Sequence, residues 1–87
     1  MDDKDIYNQF KNAFLLANYL KVFELFKSFN ENTFQEYKAE VYFIITRSYL
    51  ALGSRKTTEI TELINSNETI FKYLKVMELF YTKWVNT

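Results

Sequence analysis

Apolar residues recur along this sequence at the spacing of helix faces and not with the alternation of strands. Near its start, Ile6, Phe10 and Ala13 lie on one side of a helical projection. The sequence has no proline and a single glycine, Gly53, so polar turns are left to separate the helical stretches. The pattern predicts an all-α fold of antiparallel helix pairs, with five helices at about residues 3–16, 19–29, 33–52, 55–64 and 68–85.

Local signals define the ends of these helices. Ala17 lies in the tight break that we expect between the first two helices. Thr33 and Glu36 have the spacing of a capping box, which predicts that the third helix begins at Thr33. Gly53 suits the left-handed residue that ends many helices. The fourth helix is the weakest of the five, because the threonines between residues 57 and 61 are poor helix formers.

The helices also resemble a known repeat. The first helix of a tetratricopeptide repeat carries the pattern W-x2-L-G-x2-Y. Residues of related size stand at this spacing in the third and fifth helices, namely Tyr42, Ile45, Thr46 and Tyr49, then Tyr73, Val76, Met77 and Phe80. About two and a half repeats fit residues 1–87, which we expect to form a single helical-repeat domain, alone or as a piece of a longer α-solenoid.

Two segments resemble a narrower family, the epsilon subunit of coatomer. The stretch from Lys11 to Tyr19 is similar to its N-terminal signature, in which K-N-A-[FY] precedes a small-x-Tyr turn. The stretch from Arg47 to Ala51 resembles the Arg-x-Tyr-Leu-Ala run on its next long helix. The resemblance implies a non-catalytic subunit of the COPI vesicle coat, which curls around a segment of alpha coatomer in Golgi-to-ER transport. It also implies a cytoplasmic protein, peripheral to Golgi and COPI vesicle membranes.

The repeat register assigns two surfaces. In such repeats the first helix of each pair lines the concave side. On that side we expect partner contacts from Tyr7, Lys11, Phe14, Phe43, Arg47, Leu50, Leu74, Glu78 and Tyr81. The fifth helix has no second helix to cover it, so its apolar flank is predicted to mediate a homodimer or to continue the solenoid. The residues of this flank are Tyr73, Met77, Phe80 and Trp84.

Composition excludes several classes of function. The chain has 11 basic and 11 acidic residues, a net charge of zero, whereas a nucleic-acid binder needs an excess of Lys and Arg on one face. It has no His and no Cys, so it forms neither a disulfide framework nor a zinc finger nor a Cys–His nucleophile. Its uncharged runs are shorter than the about 20 residues that cross a bilayer. We expect no cofactor, no nucleic acid and no direct membrane insertion.

Three alternatives remain open at this point. A generic tetratricopeptide adaptor would bind peptides, and Lys11 with Arg47 would then hold a carboxylate-ended peptide. A small helical enzyme would use a pair of carboxylates, in the segment 2–3 or in Glu59 with Glu62, although carboxylates are ordinary on polar helix starts and faces. A membrane-surface bundle would use the lysines that accompany apolar residues along 71–85.

Overall fold

The computed structural model describes residues 2–85, with side chains described through residue 79. Every regular element in this part of the chain is helical, which confirms the all-α prediction. Its five α-helices are α1 (Asp3–Leu15), α2 (Tyr19–Ser28), α3 (Lys38–Leu52), α4 (Thr58–Ser66) and α5 (Glu68–Val85).

The capping box predicted at the start of the third helix is wrong. A 3-10 segment, Glu31–Tyr37, precedes α3 and occupies the residues that were expected to be its first turn. The Thr33 hydroxyl donates to the carbonyl oxygen of Asn30 at 2.5 Å instead of accepting from the backbone. The backbone N–H of Glu36 donates to Asp3 Oδ2 at 3.1 Å, so a side chain of α1 replaces the local cap.

Burial of Phe34 explains why the regular helix does not form there. Its backbone has φ −131° and ψ 37°, outside the helical region, and its side chain is completely buried. The ring packs edge-on against the rings of Phe10 in α1 and Tyr42 in α3, with centroid distances of 5.7 Å and 6.5 Å. Burying an aromatic ring stabilises the fold by more than one capping box does, so the tertiary contact decides the local structure.

Two turns place residues at positive φ. At the end of α1 the N–H of Ala17 donates to Phe14 O at 3.0 Å and the N–H of Asn18 donates to Ala13 O at 2.9 Å. This is a Schellman motif, and Ala17, with φ 58°, holds the position that usually requires glycine. Gly53 ends α3 with φ 54° and ψ −120°, so the φ is positive as predicted but the ψ differs from that of a left-handed helical cap.

Side-chain caps set the start of the last two helices. The Thr57 hydroxyl accepts a hydrogen bond from the N–H of Ile60 at 3.1 Å, so this threonine precedes α4 instead of lying inside it. The predicted start at residue 55 is therefore wrong, because a threonine favours the cap over the helix interior. Asn67 is the single residue between α4 and α5, and its Oδ1 accepts a hydrogen bond from the N–H of Ile70 at 3.0 Å, which caps α5.

The helices pack around α3, which contacts α1, α2 and α5. α1 and α2 are antiparallel. The ring centroid of Phe14, near the end of α1, lies 6.1 Å from that of Tyr19 at the start of α2. The ring centroid of Phe10, earlier in α1, lies 6.5 Å from that of Phe29 at the end of α2. α4 packs against α5. The buried apolar residues of all five helices and of the 3-10 segment form one hydrophobic core.

Candidate protein-binding groove

An open groove of about 500 Å³ runs between α1 and α3. Its lining is mainly apolar and aromatic. The residues that shape it are Tyr7, Lys11 and Phe14 of α1, Glu40 and Phe43 of α3, and Tyr73 of α5.

Helical periodicity explains why these side chains share one surface. Tyr7, Lys11 and Phe14 are spaced four and three residues apart, so they form a ridge along α1 beside the buried ridge that includes Phe10. On α3, Phe43 follows the neighbouring ridge and is 44% exposed, whereas Ile45 is completely buried. Each wall of the groove is therefore the edge of a helix face whose centre lies in the core.

The 3-10 segment supports the groove beside Tyr7. The rings of Tyr7 and Tyr37 stack with their centroids 4.7 Å apart and their planes 2° from parallel. Tyr37 is the last residue of the 3-10 segment, so the position of its ring follows from the irregular backbone ahead of α3. Sequence reasoning missed this support, because it assigned the segment to a regular helix.

A hydrogen-bonded network holds the Tyr73 wall of the groove. Tyr73 packs edge-on against Tyr42 with their centroids 5.8 Å apart. The Tyr42 hydroxyl donates to Glu31 Oε2, and Glu31 Oε1 accepts from Asn67 Nδ2 at 2.6 Å. Because Asn67 also caps α5, the network ties the start of α5 to α3 and to the 3-10 segment.

Tyr42 is the titratable group in this network whose pKa is shifted by its surroundings. Burial raises the pKa of its phenol above the ordinary value of 10.0, and the hydrogen bond to the Glu31 carboxylate and its negative charge raise that pKa further. The hydroxyl therefore stays protonated as a donor to Glu31 at neutral pH.

The structure brings together several of the residues predicted to face a partner. Tyr7, Lys11, Phe14 and Phe43 all line the groove. Arg47 lies at its edge, with its guanidinium carbon 5.8 Å from the centroid of the Phe43 ring. These five residues form one continuous surface on α1 and α3.

The other residues expected on this face are placed differently. Leu50 is half-buried and packs against the core. Leu74 is 4% exposed, so it is a core residue and not a contact residue, because it lies one turn after Ile70 on the buried ridge of α5. Glu78 is half-buried and pairs with Lys75 at 3.8 Å. The side chain of residue 81, the predicted contact Tyr81, lies outside the described part of the chain.

The apolar flank predicted on the fifth helix is only partly described. Tyr73 and Met77 are half-buried, and Phe80 and Trp84 lie beyond the described side chains. Up to residue 79, the exposed large apolar residues of α5 are Phe71, Val76 and Leu79. The homodimer through the predicted flank stays a prediction, because half of that flank lies beyond the described side chains.

Three of the four candidate catalytic carboxylates have structural roles. Asp2 accepts a hydrogen bond from the first turn of α1 at 2.9 Å and caps that helix. Asp3 accepts from the N–H of Glu36, and Glu59 forms an ion pair with Lys27 that joins α4 to α2. No group of acidic residues within the described part of the chain is arranged to hold a metal ion.

Comparisons with known proteins leave the family open. Among residues 2–85, no helix is both long enough and apolar enough to cross a membrane. The resemblance to coatomer epsilon rests on the two short segments at 11–19 and 47–51. No protein-family model matches the chain, and no curated protein or solved structure shows significant similarity to it.

Proposed function

We propose that this chain is a non-catalytic protein-interaction module that binds a segment of another protein in the groove between α1 and α3. The observation that carries the proposal is the exposure of Phe43 in a preformed apolar groove. Exposed aromatic side chains next to a concave apolar surface are typical of association sites, where Phe and Tyr provide large contact areas.

The rigidity of the walls supports this function. Tyr7 is held by stacking on Tyr37, and Tyr73 is held by the edge contact with Tyr42. A groove that is already formed before binding loses less conformational entropy when the partner arrives. This arrangement favours recognition of a partner without a large rearrangement of the helices.

The chemistry of the groove favours binding over catalysis. Its charged side chains are one amine, Lys11, and one carboxylate, Glu40. A two-carboxylate mechanism needs a second acid beside Glu40. The carboxylates Asp2, Asp3 and Glu59 instead cap helices or form an ion pair.

The repeat pattern and the coatomer resemblance provide a narrower form of the proposal. In the tetratricopeptide register, α1 and α3 are the first helices of successive repeats, so the groove corresponds to the concave face of a solenoid. The segments at 11–19 and 47–51 contribute to this face and carry the resemblance to coatomer epsilon. We therefore propose a segment of alpha coatomer as the partner to test first, in a cytoplasmic protein peripheral to Golgi and COPI membranes.

A matched pair of substitutions tests the general proposal. Phe43→Glu places a charge in the groove, and Phe71→Glu places the same charge on α5, where the phenylalanine is 37% exposed. Each variant serves as bait in cytosol, and the captured proteins are compared by quantitative mass spectrometry. We expect proteins that are retained by the wild type and by Phe71→Glu but lost with Phe43→Glu, because burying an unpaired carboxylate at an interface is unfavourable.

The identity of the captured proteins distinguishes a general protein-interaction module from a coatomer epsilon-like subunit. Alpha coatomer among the groove-dependent proteins would support the coatomer assignment, and other groove-dependent proteins would support a generic adaptor. Identical captured proteins for Phe43→Glu and Phe71→Glu would contradict the proposed function. Circular dichroism and thermal unfolding of both variants check that each charge stays on the surface of a folded chain.

A further inference from the structure

Arg47 lies at the edge of the groove and forms no ion pair with an acidic residue of the described chain. Its guanidinium carbon lies 5.8 Å from the centroid of the Phe43 ring, within the range of a cation–π contact. Among the described side chains, the ion pairs involve other residues, and none includes Arg47. The side chain is exposed, so water hydrates its charge in the free protein.

A partner that covers Phe43 changes the surroundings of this charge. Because the guanidinium lies over the same ring, contact with Phe43 also removes water from Arg47. A desolvated guanidinium is unfavourable unless an acceptor replaces the lost water, and a carboxylate does so best with two parallel hydrogen bonds. We therefore expect a tightly bound segment to place an acid beside the apolar residue that contacts Phe43.

The walls of the groove also restrict the backbone of the bound segment. Both walls are helices, whose internal backbone groups are already hydrogen-bonded, and they present no sheet edge. An extended segment would bury N–H and C=O groups without partners, whereas a helix satisfies its own. Phe43 and Arg47 are four residues apart, about 6 Å along α3, which matches side chains one turn apart on a partner helix.

We propose that the segment bound in the groove is an amphipathic helix whose apolar residue covers Phe43 and whose Asp or Glu, three or four positions away, pairs with Arg47. This inference rests on the proposed function and specifies the chemistry of the partner. The position of the acid relative to the apolar residue sets the direction in which the helix lies along α3.

A displayed library of helical peptides of about 16 residues is the probe for this proposal. The library is selected against the whole chain, against Arg47→Glu and against Arg55→Glu, whose exposed arginine lies in the turn Gly53–Arg55. From the wild type we expect peptides that pair an apolar residue with an acid at the stated spacing. Their affinity should fall about tenfold or more with Arg47→Glu and less than about twofold with Arg55→Glu.

Further measurements separate this inference from the proposed function. Arg47→Glu should select Lys or Arg at the position where the wild type selects an acid. Raising the salt concentration from about 0.05 M to about 0.5 M should weaken binding to the wild type more than to Arg47→Gln.

Each remaining outcome has one meaning. Peptides that need Phe43 but carry no acid, or that bind equally well to Arg47→Glu and Arg55→Glu, would overturn the inference and leave the proposed function standing. A selection that yields no peptide would overturn the inference alone, because the library contains only helices. Peptides that bind Phe43→Glu as well as the wild type would overturn both.

Discussion

The two sides of α3 are built from different side chains. On the side of α1, α2 and the 3-10 segment, the core contains buried phenylalanines, among them Phe10, Phe23 and Phe34. On the side of α4 and α5, the buried residues are aliphatic, and Ile60, Ile64, Ile70 and Leu74 form that part of the core.

This difference has consequences for shape and stability. On the first side, stacked and edge-on contacts between aromatic rings join α1 to the 3-10 segment. These contacts hold the walls of the groove in place. The second side uses a narrow aliphatic ridge on each helix and leaves Val76 and Leu79 of α5 exposed. We therefore expect the first side to be the more resistant to local unfolding.

The largest expected effect is the loss of the central ring on the aromatic side. Phe34→Ala should lower the free energy of unfolding by about 3–5 kcal/mol, because it leaves a cavity between α1 and α3. Ile64→Ala on the aliphatic side should lower it by about 2–4 kcal/mol. Urea unfolding of both variants measures these losses.

Hydrogen exchange sharpens that comparison. Ile64→Ala should reduce amide protection mainly in α4 and α5, whereas Phe34→Ala should reduce it throughout the chain. Equal loss of protection in all five helices for both variants would show that the two sides unfold as one unit, against the expected difference.

An intermediate effect is expected from the network that joins the two sides. Tyr42→Phe removes the hydrogen bond to the Glu31 carboxylate, and it should lower the free energy of unfolding by about 1.5–3 kcal/mol at neutral pH. The folded-state pKa of Tyr42 lies above the ordinary value of 10.0, so ionisation of this phenol opposes folding. Its stabilising contribution is therefore complete below about pH 10 and is lost as the pH rises toward the folded-state pKa.

Ultraviolet titration of tyrosinate measures this pH dependence. In the folded wild type, Tyr42 should ionise above the ordinary phenol pKa of 10.0, and this late step should be missing from Tyr42→Phe. A titration curve of the same shape in both proteins would contradict the proposed environment of Tyr42. Tyr19→Phe is a suitable control, because the Tyr19 hydroxyl is not part of the network of Tyr42, Glu31 and Asn67.

The smallest expected effect concerns the two turns with positive φ. Ala17→Gly should raise the free energy of unfolding by about 0.5–1 kcal/mol, because glycine adopts φ 58° without the steric cost that alanine bears. Gly53→Ala should lower it by about 1 kcal/mol through backbone strain alone, since no atom lies within 4 Å of the added methyl group. Thermal unfolding of both variants checks that the two substitutions change the stability in opposite directions. A loss of stability with Ala17→Gly would contradict backbone strain at Ala17.

Local periodicity accounts for much of the fold and part of the groove. The first, second and fifth helices begin at the predicted residues, because their apolar stripes and turns are complete within each segment. The same spacing selected Tyr7, Lys11, Phe14 and Phe43, which the structure brings to one groove. Leu74 was misplaced, because the rotation of α5 depends on its packing against α3 and α4.

The sequence by itself determined the helical class, the approximate extent of each helix and the positive φ of Gly53. These features follow from neighbours within about one turn, where spacing and backbone preference act directly. Only the tertiary structure decided the 3-10 segment, the stacking of Tyr7 on Tyr37 and the link from Glu31 to Asn67. The last two contacts join residues thirty or more positions apart, and burial of the Phe34 ring in the 3-10 segment outweighs the local signal of a capping box.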